Sequence, residues 1–308
     1  MASKKSRPRY MTAFISHSSH EAALATHVEQ VLEARGLQVW LDRSEIRPGR
    51  LLRAELHESI RKSRALILLW SKAAAKSRWV AAEILTAFHL GRFIIACACD
   101  QAPLPYFLQS TIYLNLQPQK TDWTEQLQRA IRNAPDAANQ VLPKMASQTP
   151  ALADAITVLA QGQLAVTDCL ERNDLRGATE HQTVLGSKMN AAEKQWRMES
   201  AILNLAGYHR KNAYMLKHWA AIQAGRPPKD ALLQRSERCF FESLFVDPYD
   251  FEALNGLGSV LILERDLDAA EFFIRRALLL AKKAGVSYPA AQQDLRMVMA
   301  FKGSNRGR

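Results

Sequence analysis

Six consecutive apolar residues at positions 65–70 (ALILLW) constrain the fold of this chain more than any other feature. A strand that is apolar on both faces is typical of the interior of a parallel sheet, because helices cover both of its sides. Further short apolar segments alternate with helical segments along the first half, which predicts βαβ crossovers. We therefore expect an α/β fold whose parallel strands lie at 10–16, 38–41, 65–70, 93–98 and 111–114.

Two serines are placed to begin helices beside this sheet. Ser19 precedes a segment with apolar residues on one face, and a serine side chain accepts a hydrogen bond from the free N–H groups of a helix start. Ser77 is predicted to cap a second helix over 78–90 in the same way. In that helix Trp79 and Glu83 are four residues apart. Their side chains are therefore expected on one face.

The second half of the chain has a different character. A break containing three prolines is followed only by helical periodicity, with no convincing strand. The sequence therefore predicts an α/β domain at 8–134, a linker at 135–150 and an all-α domain at 151–302. Helices in the latter are predicted at 151–172, 175–189, 192–224, 229–246, 250–264, 268–285 and 289–301.

Part of the helical domain is patterned as a repeat. After Asp247-Pro248, the small residues Gly258, Ala270 and Ala277 let two helices approach closely, and larger apolar residues fill the space between them. This pattern resembles a tetratricopeptide repeat over about 34 residues. The resemblance implies a tetratricopeptide-like domain, which presents a large surface for association.

Composition narrows the classes of partner. The net charge is +11, yet Lys and Arg are spread along the chain without a dense stripe interleaved with aromatic residues. This spread argues against nucleic acid as the main partner. The apolar runs are far shorter than the ~20 residues that span a bilayer, and the basic N-terminus lacks the apolar stretch of a signal peptide. We therefore expect no membrane partner and a cytoplasmic location.

The cysteines form no predicted metal site. Cys97 and Cys99 lie two apart on a predicted strand, so they share a face and are poorly placed to bond each other. Neither they nor Cys169 and Cys239 belong to a Cys/His pattern with zinc spacing. We interpret all four as small core residues and expect no bound metal.

Three segments of the first half together resemble a Toll/interleukin-1 receptor (TIR) domain of bacterial type. Residues 14–19 (FISHSS) look like the first motif of that family. Residues 36–42 (GLQVWLD), leading to 46–49 (IRPG), are similar to its second strand and the BB loop. Residues 79–83 (WVAAE) look like the Trp-x-x-x-Glu signature of its catalytic branch. The resemblance covers roughly residues 8–134 and implies a flavodoxin-like, five-stranded parallel sheet.

The same resemblance implies an activity and a site. Enzymatic TIR domains cleave the nicotinamide–ribose bond of NAD+, and Glu83 matches their catalytic glutamate. Ser18 and Ser19 fall where the family contacts NAD+ after the first strand, and Arg47 falls at its BB-loop contact. NAD+ is then a substrate, and no cofactor is expected.

Two further residues are predicted near the substrate from their positions. Trp79 lies one helical turn before Glu83, where it is placed to line the pocket or stack on a base. Asp42 ends the second strand, at the carboxyl edge where open α/β sheets bind ligands. No Gly-x-Gly-x-x-Gly follows the first strand. The site is therefore not a hydride-transfer pocket of the Rossmann type, and NAD+ is predicted to be consumed rather than cycled.

The leading hypothesis is an NAD+ hydrolase, with ADP-ribosyl cyclase activity left open, that acts as a bacterial antiphage or immune effector. Self-association through the TIR and helical domains, in response to a protein or small-molecule trigger, is expected to activate it. A second hypothesis is a non-catalytic scaffold or adaptor in which Glu83 is incidental. A third is a host-directed virulence factor.

Overall fold

The computed structural model describes residues 13–41, 58–109, 113–116, 123–135 and 149–306. Two predicted site residues, Asp42 and Arg47, lie outside the described residues. The chain divides between Pro143 and Lys144 into two compact units. The predicted domain bounds of 8–134, 135–150 and 151–302 stay predictions.

The first unit contains a five-stranded parallel sheet in the order β2-β1-β3-β4-β5, as expected for a flavodoxin-like fold. The strands are β1 (Ala13–Ser16), β2 (Val39–Leu41), β3 (Ala65–Trp70), β4 (Phe93–Ala98) and β5 (Leu114–Asn115). The helices are α1 (Ala22–Ala34), α2 (the helical residues 58–62), α3 (Arg78–His89) and α4 (Trp123–Arg132). Short 3₁₀ helices lie at Ser19–Glu21, Ala74–Lys76 and Tyr106–Leu108. The predicted α/β class is confirmed.

Helices cover the sheet on both faces, and strand alternation decides which side chain meets which helix. Ile15 and Ile67 belong to a buried core that includes Val28 of α1 and apolar residues of α4. Successive strand residues point to opposite faces. Phe14 and Ser16 therefore point to the other face, where α3 packs against β1, β3 and β4.

One predicted helix cap is confirmed and another is wrong. Ser77 caps α3, since its side chain accepts a hydrogen bond from the Val80 N–H at 3.3 Å. Ser19 does not cap the first helix. The cap is Ser18, whose hydroxyl accepts from the His20 N–H at 3.3 Å and begins a 3₁₀ turn that runs into α1. The sequence favours Ser18 over Ser19, because Ser18 is followed three residues later by Glu21, the spacing of a capping box.

The described residues of the second unit form helices joined by turns, with no strand. Its helices are α5 (Pro150–Glu171), α6 (Leu175–Gln195), α7 (Ser200–Lys217), α8 (Trp219–Gln223), α9 (Ala231–Val246), α10 (Phe251–Leu263), α11 (Leu267–Lys283) and α12 (Pro289–Arg306). No helix in the described part of the chain is long and apolar enough to cross a bilayer.

The predicted helices 175–189 and 192–224 are wrong in their bounds. The turn between α6 and α7 begins at Trp196, which leaves the helical conformation with φ −124° and ψ 58° while it packs against the core of α5, α6 and α7. A second break falls at His218, between α7 and α8. Neither turn contains the glycine or proline by which a helix end is recognised in sequence.

Glycines allow the helices of the second unit to approach closely. A Cβ added at Gly207 of α7 would lie 2.7 Å from the Phe240 ring, and one at Gly256 of α10 would lie 2.3 Å from it. The ring therefore fills space that two glycines leave open. A Cβ at Gly258 would lie 2.4 Å from Ile274, as expected for the predicted close pair of α10 and α11. The resemblance of this pair to a tetratricopeptide repeat stays a prediction.

We expect Gly256→Ala to lower the stability of the helical unit by about 1–3 kcal/mol, because the added methyl group overpacks a core that cannot easily shift. Gly303 of α12 is a matched control, since a Cβ there meets nothing within 4 Å. Gly303→Ala is expected to be neutral or to stabilise by up to about 1 kcal/mol through helix propensity. Calorimetric unfolding of the two variants measures both effects. Equal melting temperatures would contradict the packing role of Gly256.

A buried polar network joins three helices of the same unit. The Ser200 and Ser243 hydroxyls lie 3.0 Å apart, and each lies 3.2 Å from Asp250 Oδ2. The other carboxylate oxygen of Asp250 caps α10 by accepting from the Ala253 N–H at 2.9 Å. Burial raises the pKa of Asp250 to about 6, although the cap hydrogen bond opposes the shift.

This raised pKa predicts a helical unit that loses stability as the pH rises. The folded state holds the Asp250 proton more tightly than the unfolded chain, whose aspartates titrate near pH 4. The contribution is therefore fully present below about pH 4 and is lost as the pH passes through about 6. We expect Asp250→Asn, which cannot ionise and still caps α10, to gain up to about 3 kcal/mol relative to wild type between pH 4 and pH 8.

Calorimetry of the full chain at several pH values measures this difference. Asp266→Asn is the control, because Asp266 caps α11 through the Ala269 N–H in the same way. It reports the effect of the same substitution at a helix cap. A difference between Asp250→Asn and wild type that stays constant with pH would contradict the role given to burial.

Candidate functional site

The candidate site lies at the carboxyl edge of the sheet, where parallel strands end together. β1 ends at Ser16, and its neighbour β3 ends at Trp70, which is paired with Ala98 at the end of β4. The loops that follow are tied to each other, since the Lys72 N–H donates to Asp100 Oδ2 at 2.9 Å. Loops at this edge are where open α/β sheets hold ligands.

Glu83 is a buried carboxylate beside this edge. Glu83 is 4% exposed, and the Ser16 hydroxyl donates a hydrogen bond to its Oε2 at 2.5 Å. Ser16 itself is fully buried. A short hydrogen bond from a hydroxyl to a carboxylate is among the stronger polar contacts in proteins. The bond therefore fixes the position of Glu83 relative to the end of β1.

Local sequence explains why these two side chains meet. Ser77 begins α3 at a defined residue, and residues 80–88 of the helix are all buried, so α3 is enclosed on every side. Enclosure leaves Glu83 without access to bulk water and makes a partner on the sheet necessary. Strand alternation turns Ser16 toward α3, and it is the last residue of β1.

Trp79 and Glu83 share a helix but differ in environment. Their spacing of four residues places both side chains along one line of α3. Trp79, in the first turn of α3, is partly exposed, whereas Glu83 is buried. The line therefore runs from the protein surface at Trp79 to the buried carboxylate.

The two serines after β1 are used differently. Ser18 is 6% exposed, and its hydroxyl donates to the Glu21 carboxylate while it accepts from the His20 N–H. Ser19 is exposed, at the first residue of the 3₁₀ helix. Ser18 follows Ser16 by two residues, a span of at most roughly 7 Å. The structure therefore brings Ser16, Ser18, Ser19 and Glu83 into one neighbourhood.

Sequence reasoning missed two side chains of this neighbourhood, Ser16 and Glu21. Ser16 carried a usable signal, because it is the only polar residue in the apolar strand Ala13–Ser16 and shares a face with Phe14. Glu21 carried one as well, because it follows Ser18 by three residues just before an apolar helix, which is the spacing of a capping box. The positions of Asp42 and Arg47 relative to this neighbourhood lie outside the described residues.

The thiols near the site are inert at neutral pH. Burial, together with the charges of Glu21 and Asp100, raises the pKa of Cys99 to about 12. Burial raises the pKa of Cys97 as well. A thiol must ionise to act as a nucleophile. Among the described residues, no three His, Cys, Asp or Glu side chains are grouped so that they could hold a metal ion.

Comparison with known proteins identifies the first unit. The family model described as TIR domain matches residues 13–131 of the 308-residue chain. Among solved structures, the chain is similar to the TIR domain of the Toll-related receptor TRR-2 from Hydra magnipapillata. That match has 19% sequence identity and a TM-score of 0.36, and it covers 40% of this chain and 99% of that one. No curated protein matches the chain. Residues 13–131, which contain the five-stranded parallel sheet and Glu83, therefore form a TIR domain.

Proposed function

We propose that the TIR domain hydrolyses NAD+ at the nicotinamide–ribose bond, with Glu83 as the catalytic carboxylate. The observation that carries this proposal is the burial of Glu83 in the middle of α3 against the Ser16 hydroxyl. Removing a carboxylate from water costs several kcal/mol. A chain that keeps such a group beside the ligand-binding edge of its sheet is expected to use it.

Glu83 suits this reaction because the bond breaks with little need for acid catalysis. The pyridinium nitrogen of NAD+ is already cationic, so nicotinamide leaves as a neutral molecule with the bonding electron pair. Positive charge then develops on the ribose, in an oxocarbenium-like transition state. Glu83 stabilises that charge and accepts hydrogen bonds from the ribose hydroxyls. Water adds to the ribose carbon, which yields ADP-ribose and one proton.

The remaining predicted site residues are proposed to hold the substrate. Trp79 lines the entry to Glu83, and Ser18, Ser19 and Arg47 contact the pyrophosphate or ribose. Asp42 lies after β2, at the same edge of the sheet. The nucleophile that reaches the ribose decides the product, since water gives linear ADP-ribose and adenine gives the cyclic form.

Assembly is proposed to control the activity. A carboxylate that is 4% exposed reaches a ribose only when the surrounding groups move. Self-association of TIR domains, driven by the helical unit in response to a protein or small-molecule trigger, is a way to supply that movement. In this role the protein is an immune effector of the antiphage type that acts by NAD+ depletion in the cytoplasm.

The burial of Glu83 also favours a second candidate function, a TIR scaffold without catalysis. In that case Glu83 and Ser16 only join α3 to β1, and both units bind proteins. The hydroxyl of Ser18 supports this alternative, because it is already engaged by Glu21 and His20. The two candidates differ in whether NAD+ disappears.

We expect Glu83→Gln to lower NAD+ turnover by at least about 100-fold, because glutamine keeps the shape and the Ser16 contact but lacks the charge that stabilises the transition state. Glu29→Gln is the matched control, since Glu29 is a buried glutamate of α1 with 6% exposure. Turnover is followed by chromatography of NAD+, ADP-ribose and cyclic ADP-ribose, together with particle size by light scattering. If assembled wild-type protein leaves NAD+ intact, or if folded Glu83→Gln consumes it equally fast, the scaffold function replaces the proposal.

Ser16 is predicted to be a positioning residue for Glu83. Ser16→Ala removes a hydrogen bond to a charged group, which contributes about 1.5–3 kcal/mol. We expect kcat for NAD+ hydrolysis to fall by roughly 10- to 100-fold with little change in KM. Ser63→Ala is the matched control, because the buried Ser63 hydroxyl donates to the Ser59 carbonyl at 2.8 Å. Equal kcat values for the two variants would show that Ser16 has only a structural role.

A further inference from the structure

The helical unit contains a second polar cluster, formed by side chains of α7, α10 and α12. Lys211 of α7 donates to Ser259 Oγ at 3.1 Å, and its ammonium lies 4.9 Å from the centre of the Tyr208 ring. Asn255 lies one helical turn before Ser259 on α10 and donates to Asp294 Oδ2 at 3.0 Å. Three helices thus bring one cation, one anion and two neutral polar groups to one place.

The two charges of this cluster are close enough to act on each other. Burial lowers the pKa of Lys211 and raises that of Asp294, and each charge acts on the other in the opposite direction. The two side chains therefore sense each other's field. They nevertheless form no ion pair within the described helices. A group inserted between them can accept from Lys211 and donate to Asp294 at the same time.

Asn255 supplies an independent indication of a ligand. The residue is 4% exposed, its Nδ2 is used by Asp294, and its Oδ1 has no hydrogen-bond partner among the described residues. An unpaired buried amide oxygen costs about 1–3 kcal/mol. The cost is removed by a donor that binds beside Asp294.

The polar groups of this cluster define the chemistry of a ligand that would fit them. Asn255 Oδ1 and the Asp294 carboxylate are neighbouring acceptors, which suit an ammonium group with its three donors. Lys211 is the cation, which suits a carboxylate. A neutral amide would satisfy the hydrogen bonds, but it carries no charge to match either Lys211 or Asp294. The ring of Tyr208 adds an apolar surface next to the lysine.

We propose that this cluster binds a small zwitterion of the α-amino-acid type, whose carboxylate contacts Lys211 and whose ammonium contacts Asp294 and Asn255. The site belongs to the helical unit and is independent of NAD+ chemistry. It gives that unit a candidate small-molecule ligand.

The test is thermal unfolding of the full-length protein with each of the twenty free amino acids at about 10 mM, since a ligand of the folded state raises the melting temperature. At least one amino acid is expected to raise it. The N-acetylated form of that amino acid, which lacks the ammonium group, and its amide, which lacks the carboxylate, are expected to bind at least about tenfold more weakly. If no amino acid stabilises the protein, or if the blocked forms bind as well as the parent, the proposal is wrong.

Variants assign the two ends of the ligand. Lys211→Met keeps the aliphatic stem and removes the charge, and Asp294→Asn keeps the shape of the carboxylate. Both are expected to weaken binding in calorimetric titration by at least about tenfold. Lys217→Met is the matched control on α7, because Lys217 pairs with Asp230 at 2.7 Å and is 58% exposed. Binding by the folded Lys211 and Asp294 variants at wild-type affinity overturns the proposal. If either variant fails to fold, the comparison of parent and blocked amino acids on the wild-type protein decides.

Discussion

The hydrogen bond from Ser16 to Glu83 is the contact on which the organisation of the TIR domain depends. It joins the end of β1 to the middle of α3, two elements separated by 67 positions in the chain. A carboxylate in this enclosed helix is destabilising without a donor, and a hydroxyl at the end of an apolar strand is destabilising without an acceptor. Each group gives the other a hydrogen-bond partner, so the bond relates the position of α3 to the end of β1.

The helical unit balances burial and polarity in a different way. Its apolar packing is close, since the Phe240 ring lies between Gly207 and Gly256. Two of its polar networks lie around Asp250 and around Lys211 and Asp294. In the network at Asp250 the two hydroxyls and the carboxylate are hydrogen-bonded, and the network connects the helices. The one at Lys211 and Asp294 contains two opposite charges that form no ion pair and one buried acceptor, Asn255 Oδ1, without a partner among the described residues, which is the basis of the ligand proposal.

The strands and helix starts of the first unit were predictable because apolar strand segments and helix caps are local signals, whereas the flavodoxin-like arrangement was implied by the TIR resemblance. β3 and β4 have the predicted bounds, Ala65–Trp70 and Phe93–Ala98, and Ser77 caps α3 as its position indicates. The turn at Trp196 was not predictable, because a tryptophan that leaves the helix to join the core carries no turn signal. The Ser16–Glu83 contact was within reach of strand alternation, whereas the Lys211 cluster depends on helix packing that no single segment encodes.

The burial of Glu83 bears on how the proposed activity is controlled. A catalytic carboxylate in contact with solvent would act on NAD+ whenever the substrate is present. At 4% exposure the carboxylate must first be uncovered, and its free energy in the closed state depends on Ser16. In the proposed mechanism, association moves the groups that cover Glu83, and the sheet is kept because Ser16 and Glu83 both lie on regular elements. A partner that favours the open arrangement by 1.4 kcal/mol raises the open population about tenfold while that population is small. Modest association free energies at the TIR surface are therefore sufficient to control the activity proposed for Glu83.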